Sequence, residues 1–111
     1  MSFTELWNEL ALDVHLNAKA KGFWEEGVAN RNRAEMIALM HSELSEALEA
    51  IRHGNPSDDK VPQHSAVAAE LADTVIRIMD YDAAFNVGVA QAILDKHLMN
   101  KTRPYKHGKV F

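Results

Sequence analysis

A chain of 111 residues, 47% apolar and 25% charged, has the size and composition of one soluble globular domain spanning 1–111. Its formal charge of −4 argues against a nucleic-acid binder, which wants a basic surface. The sequence holds no cysteine, which excludes disulfides and thiolate chemistry.

Taken in order, the elements read as helices. Ser2 followed by Glu5 is a capping-box pattern and predicts a first helix from about residue 3. Phe3, Leu6, Trp7, Leu10, Val14 and Ala18 recur at helical spacing and predict its buried stripe, with Phe3 and Trp7 in the core. Leu12 and Leu16 lie off that stripe, one turn apart, as a second apolar patch of the kind subunit interfaces use. Lys21-Gly22 breaks the helix, and a polar loop follows to about Asn32. Asn32 precedes Glu35 by three, again cap-like, and predicts a second helix over 33–52. GNPSDDKVPQ is dense in breakers and reads as a loop. A third helix fits 64–85, with Pro62 near its first turn, and a fourth fits 89–101 beyond the Asn86-Val87-Gly88 turn. TRPYKHGKVF is a basic tail. Four helices with short connections and no alternating β-branched run predict an all-α, four-helix bundle-like domain. No apolar run approaches the ~18 residues of a membrane span. Glu5, Glu9 and Asp13 stand where a signal peptide would be basic and then apolar, so a cytoplasmic protein with no membrane association is the expectation.

The chemistry lies in carboxylates on helix faces. On a wheel of the second helix, Met36, Leu39, Met40, Leu44, Ala47, Leu48, Ala50 and Ile51 fill one broad arc. Glu43 falls inside that arc, Glu46 at its edge, and Glu49 on the opposite side. A carboxylate among apolar neighbours needs a compensating cation or it protonates. The third helix carries an apolar face of Val67, Leu71, Val75, Ile78 and Met79, and a polar one of Glu70, Asp73, Arg77 and Asp80. Glu43/Glu46 and Glu70/Asp73 are both i, i+3 pairs, able to converge from antiparallel helices. Four clustered carboxylates repel unless a cation sits among them, and an all-oxygen set suits Mg²⁺, or Mn²⁺ in its place. The plainer alternative is a solvated face bridged to Arg77 or Arg52. A carboxylate di-iron bundle would need Glu-x-x-His, and none of the six histidines has a Glu three residues before it.

These residues resemble the MazG-like, all-α nucleoside triphosphate pyrophosphohydrolases. That family's pattern is ExxE, a variable gap, then ExxD. Here it reads Glu43-Leu-Ser-Glu46, a gap of 23 residues, then Glu70-Leu-Ala-Asp73. KGFWEE, LMHSELSEALEAIRHG, ELADTVIRIMD and KHLMNKTRPYKHGKVF resemble family blocks in the same order, so the likeness covers nearly the whole chain. Gly88 is a local departure, since relatives often carry a polar helix cap there.

The resemblance implies Mg²⁺-dependent hydrolysis of a nucleoside triphosphate to the monophosphate and pyrophosphate, a nucleotide-pool house-cleaning reaction. It implies a metal held by Glu43, Glu46, Glu70 and Asp73, and assembly into homodimers or homotetramers with helices packed across subunits. Glu46, at the edge of the arc, can reach both metal and water and is the expected general base. Lys96 and Asn100 share a face of the fourth helix, with Arg103 one turn beyond, and the family block implies a phosphate role for them. Trp24, in the loop after Gly22, either stacks on a base or plugs a core. Asn17 and Lys21 share a face of the first helix and are the remaining substrate-binding candidates. The rival reading is a non-catalytic helical module that binds a nucleotide or a partner.

Overall fold

The computed structural model describes residues 1–110. Four α-helices form among them: α1 (Phe3–Ala20), α2 (Arg33–Arg52), α3 (Ala66–Phe85) and α4 (Val89–Asn100). Short 3₁₀ turns occupy Val28–Asn30 and Tyr105–Gly108. Among the described residues there is no strand, only one isolated bridge between Ser57 and Ser65. Phe111, which ends the fourth of the family-like blocks, lies outside the described residues. No helix of the described residues is long and apolar enough to cross a membrane.

The caps decide where the helices begin. Ser2 Oγ accepts the Glu5 amide at 3.1 Å, and Asn32 Oδ1 accepts the Glu35 amide at 3.1 Å, as the two cap patterns predict. The third helix starts two residues later than the periodicity places it. Ser65 caps it by accepting the Ala68 amide, and Asn55 Oδ1 reaches across the loop to the Val67 amide at 2.9 Å. Pro62 and His64 therefore belong to a turn closed by the His64 amide on the Val61 carbonyl, outside α3. α4 ends at Asn100, one residue short of the expectation. At the end of α1, Gly22 takes φ +92°, a left-handed conformation open to glycine, and lets the Phe23 amide return to the Ala18 carbonyl.

α3 is the central element. It packs against α2 on one side and α1 on the other, whereas the main neighbour of α4 is α1. Two expectations about faces hold only in part: Trp7, Val14 and Ala18 on α1 and Val67, Ile78 and Met79 on α3 are half-buried or buried, and other members of the two faces are not. On α1, Phe3, Leu6 and Leu10 are exposed, and the buried positions are Ala11 and His15, with Trp7 partly covered. On α3, Leu71 and Val75 are exposed, while Thr74, Met79 and Asp82 are buried and Glu70, Arg77 and Asp80 half-buried. The cause is pairing. The polar side chains of α3 find partners on α1, α2 and the intervening loop, so α3 turns much of its polar face inward. Leucines that a periodic pattern assigns to a core are left at the surface.

The surface is accordingly apolar for so small a protein. Leu6, Leu10, Leu12, Leu16, Leu44, Leu48 and Ile51 are all 45% exposed or more. The radius of gyration is 16.3 Å, against roughly 13 Å for a compact domain of this length. A single chain is thus more open than its length requires.

Asp82 answers the departure at Gly88. Gly88 has no side chain to cap α4, but Asp82 Oδ1 accepts its amide at 2.9 Å and that of Val89 at 3.3 Å. Asp82 Oδ2 accepts the Trp7 indole N–H at 2.9 Å, tying the end of α3 and the start of α4 to α1. The carboxylate also sits at the helix N-terminus, where negative charge is favoured.

Candidate functional site

Three of the four predicted metal-ligating carboxylates come together. Oxygens of Glu43, Glu70 and Asp73 all lie within 4.8 Å of one another. The two helices that carry them are packed neighbours, and the i, i+3 spacing puts Glu70 and Asp73 on one side of α3. Glu46 does not join the group. It is exposed, one turn along α2, and lines a shallower depression with Glu70, His53 and Asp58.

Crowding shows in the acid–base behaviour. Glu70 is raised from 4.5 to about 7, first by desolvation, then by a hydrogen bond with Glu43, then by the charges of Glu43, Asp73 and Glu46. Glu46 therefore acts on the group electrostatically although it stands outside it. Asp73 is exposed as a residue, yet its carboxyl is also raised. Desolvation is again the first cause, with the charges of Glu43 and Asp58 adding to it and Arg77 and Lys60 opposing it. The GNPSDDKVPQ loop thus borders the site through Asp58, held there as its Oδ2 accepts the Lys60 and Val61 amides at 2.9 Å.

Glu43 has the compensating cation its place in an apolar arc demands. The Arg77 Nε–H donates to Glu43 Oε1 at 3.0 Å, with the glutamate side chain 15% exposed. This is one of the two bridges foreseen for the solvated-face alternative. The other arginine, Arg52, pairs with Glu49 on the outer side at 3.2 Å.

Glu43 and Asp73 of the cluster line a cavity of about 510 Å³ between α1, α2 and α3, while Glu70 lines the shallower depression. Glu43, Asp73, Arg77 and Asp80 form one wall, and Asn17 and Lys21 line it from α1. Val14, Met36, Leu39, Phe23 and Ile76 give it apolar surface. Arg31 adds a further cation that the sequence did not single out. Its Nη1 pairs with Glu35 at 3.1 Å, and its Nε is buried without a partner.

Asp80 is fixed by two residues. His15 Nδ1 lies 2.8 Å from its Oδ1, and the Trp24 indole N–H donates to both oxygens at 3.1 and 3.2 Å. The Trp24 ring is 6% exposed, with His15 edge-on at 5.0 Å and Phe85 at 5.8 Å. Of the two roles open to a loop tryptophan, this packing is that of the core plug. His15 went unnoticed in the sequence because one histidine on a helix carries no pattern. Its place one turn beyond Ala11 on the buried side was the only signal.

The residues of α4 and the tail stand apart. Lys96, Asn100 and Arg103 do not line the cavity. Asn100 is half-buried, and among the described residues its buried Oδ1 has no partner and the Arg103 side chain reaches only the His107 carbonyl, at 3.5 Å.

The donor set fits a hard divalent cation. It is all oxygen, negatively charged and drawn from two rigid helices, with no histidine or cysteine to favour a softer ion. Comparison with protein-family models, with curated proteins and with solved structures found no match.

Proposed function

We propose that this protein hydrolyses nucleoside triphosphates to monophosphate and pyrophosphate with Mg²⁺ held by Glu43, Glu70 and Asp73. The observation that carries the reading is the convergence of three carboxylates, two of which, Glu43 and Asp73, line a cavity that also offers cations and apolar surface. Its volume, about 510 Å³, falls in the range of small-molecule sites, ~300–1,000 Å³. Held by Glu43, Glu70 and Asp73, Mg²⁺ would supply Lewis-acid polarisation of phosphoryl oxygens and acidification of a water.

The chain's own residues supply the rest. Lys21 and Arg77 offer donors to phosphate oxygens from opposite walls of the cavity. Asn17 offers both a donor and an acceptor to sugar or base, and Val14, Met36 and Leu39 exclude water around the base. Trp24 and His15 hold Asp80 in the wall and serve the site by positioning. Glu46, exposed and free of the cluster, is the general base in this reading, taking a proton from the attacking water at the cluster's edge.

The site is completed in an oligomer. The exposed leucines and the open shape of the single chain support assembly with a second copy. Lys96, Asn100 and Arg103 act on phosphate from a neighbouring copy in this arrangement. The reading is tested with a panel of canonical and modified triphosphates in Mg²⁺. Pyrophosphate release that Glu43→Gln abolishes supports it, and no release from any of them favours the non-catalytic binding module.

A further inference from the structure

Arg77 holds an unusual place in the cavity wall. It sits one turn beyond Asp73 on α3, and its only ion pair among the described residues is with Glu43, at 3.0 Å. That bond uses Nε alone. The two terminal amino groups make no side-chain hydrogen bond among the described residues, and the side chain is 38% exposed. Two other charges of the cavity wall are engaged elsewhere. Arg31 is paired with Glu35, and Asp80 is taken up by His15 and Trp24. A guanidinium does not lose its proton in a protein, so Arg77 keeps its positive charge at every working pH.

A divalent cation among Glu43, Glu70 and Asp73 draws on the same Glu43 carboxylate that Arg77 holds. The geometry points to Arg77 as a built-in counter-ion, which keeps Glu43 in place while no divalent cation is bound and turns its guanidinium to a polyphosphate once one is. This rests on the metal reading above. It assigns Arg77 two successive partners in one cavity, a carboxylate through Nε and then a phosphate oxygen through the terminal amino groups. The single bond from Nε leaves four N–H donors on the terminal amino groups for the second partner.

The test uses Mn²⁺ alone, titrated into the full chain and followed by its electron paramagnetic resonance signal, for wild type, Arg77→Met and Arg77→Lys. Removing a unit positive charge a few ångströms from the site tightens Mn²⁺ roughly tenfold in Arg77→Met. Inorganic triphosphate added with saturating Mg²⁺ binds Arg77→Met roughly tenfold more weakly, with Arg77→Lys in between. A merely structural arginine gives the opposite first result, since its loss loosens Glu43 and weakens Mn²⁺. Should Arg77→Met fail to fold, Arg77→Gln makes the same comparison with the charge removed. Mn²⁺ binding by wild type with no tightening in the uncharged variants overturns the inference alone. No Mn²⁺ binding by any of the proteins sinks the metal reading and the inference with it.

Discussion

Replacing Asp82 by alanine should cost far more than a substitution at the end of a helix ordinarily does. The carboxylate is 4% exposed and accepts from Trp7 Nε1, the Gly88 amide and the Val89 amide. Losing a helix N-cap costs about 1 kcal/mol. Stranding the partly buried Trp7 N–H costs about 1–3 kcal/mol more. The sum is about 2–4 kcal/mol, a large share of the ~5–15 kcal/mol that holds a domain folded. At about 4–8 °C per kcal/mol the melting temperature should fall by roughly 8–30 °C. Asp82→Asn should lose about half as much. Its carbonyl oxygen can still accept the two amides, but its amino group faces the Trp7 N–H with a donor against a donor. The assay is urea unfolding followed by tryptophan fluorescence, at a single protein concentration because assembly shifts the midpoint. A loss below about 0.5 kcal/mol for Asp82→Ala, the size of an ordinary surface change, would refute the idea that Asp82 ties α4 to α1.

Other expectations concern the site. Glu70, raised to about 7 in the folded chain, binds its proton more tightly there than when unfolded. Its penalty is therefore absent below about pH 4.5, grows up to about pH 7 and is constant above. Melting curves of Glu70→Gln against wild type without metal should show little gain at pH 4 and a clear gain at pH 8; a constant difference would contradict the shared-proton cluster. Because metal binding must displace that proton, Mg²⁺ should raise the wild-type melting temperature more at pH 8 than at pH 6. Glu43→Gln and Asp73→Asn should lose most of the Mg²⁺-dependent rise, while Glu49→Gln on the outer side should retain it. Trp24→Phe removes the indole N–H that holds Asp80 and should cost about 1–2 kcal/mol in urea unfolding; unchanged stability, with weakened nucleotide binding, would restore the base-stacking role.

Helix positions were legible because their signals are local. Ser2 with Glu5 and Asn32 with Glu35 mark two starts through side-chain oxygens that accept nearby amides. The third start was misplaced because its second acceptor, Asn55, comes from the loop before it, twelve residues from Val67. The carboxylate group was partly legible. Glu43 betrayed itself by its place among leucines, and Glu70 and Asp73 by their spacing, but Glu46 shares that spacing and still stands outside the group. Faces were the least legible part. Periodicity ranks a leucine as buried and an aspartate as exposed, whereas α3 buries Asp82 and leaves Leu71 and Val75 outside. The partners that make this favourable, Trp7, His15 and Trp24, lie 56 to 75 residues away in sequence. No local pattern records such pairings.

The most direct test of the central claim is hydrolysis in H₂¹⁸O with Mg²⁺ and a deoxynucleoside triphosphate that is turned over, with products read by ³¹P NMR and mass spectrometry. The proposed function predicts monophosphate and pyrophosphate in equal amounts, with ¹⁸O in the monophosphate alone, because water attacks the α-phosphorus. Diphosphate with orthophosphate, or ¹⁸O in the pyrophosphate, would contradict it.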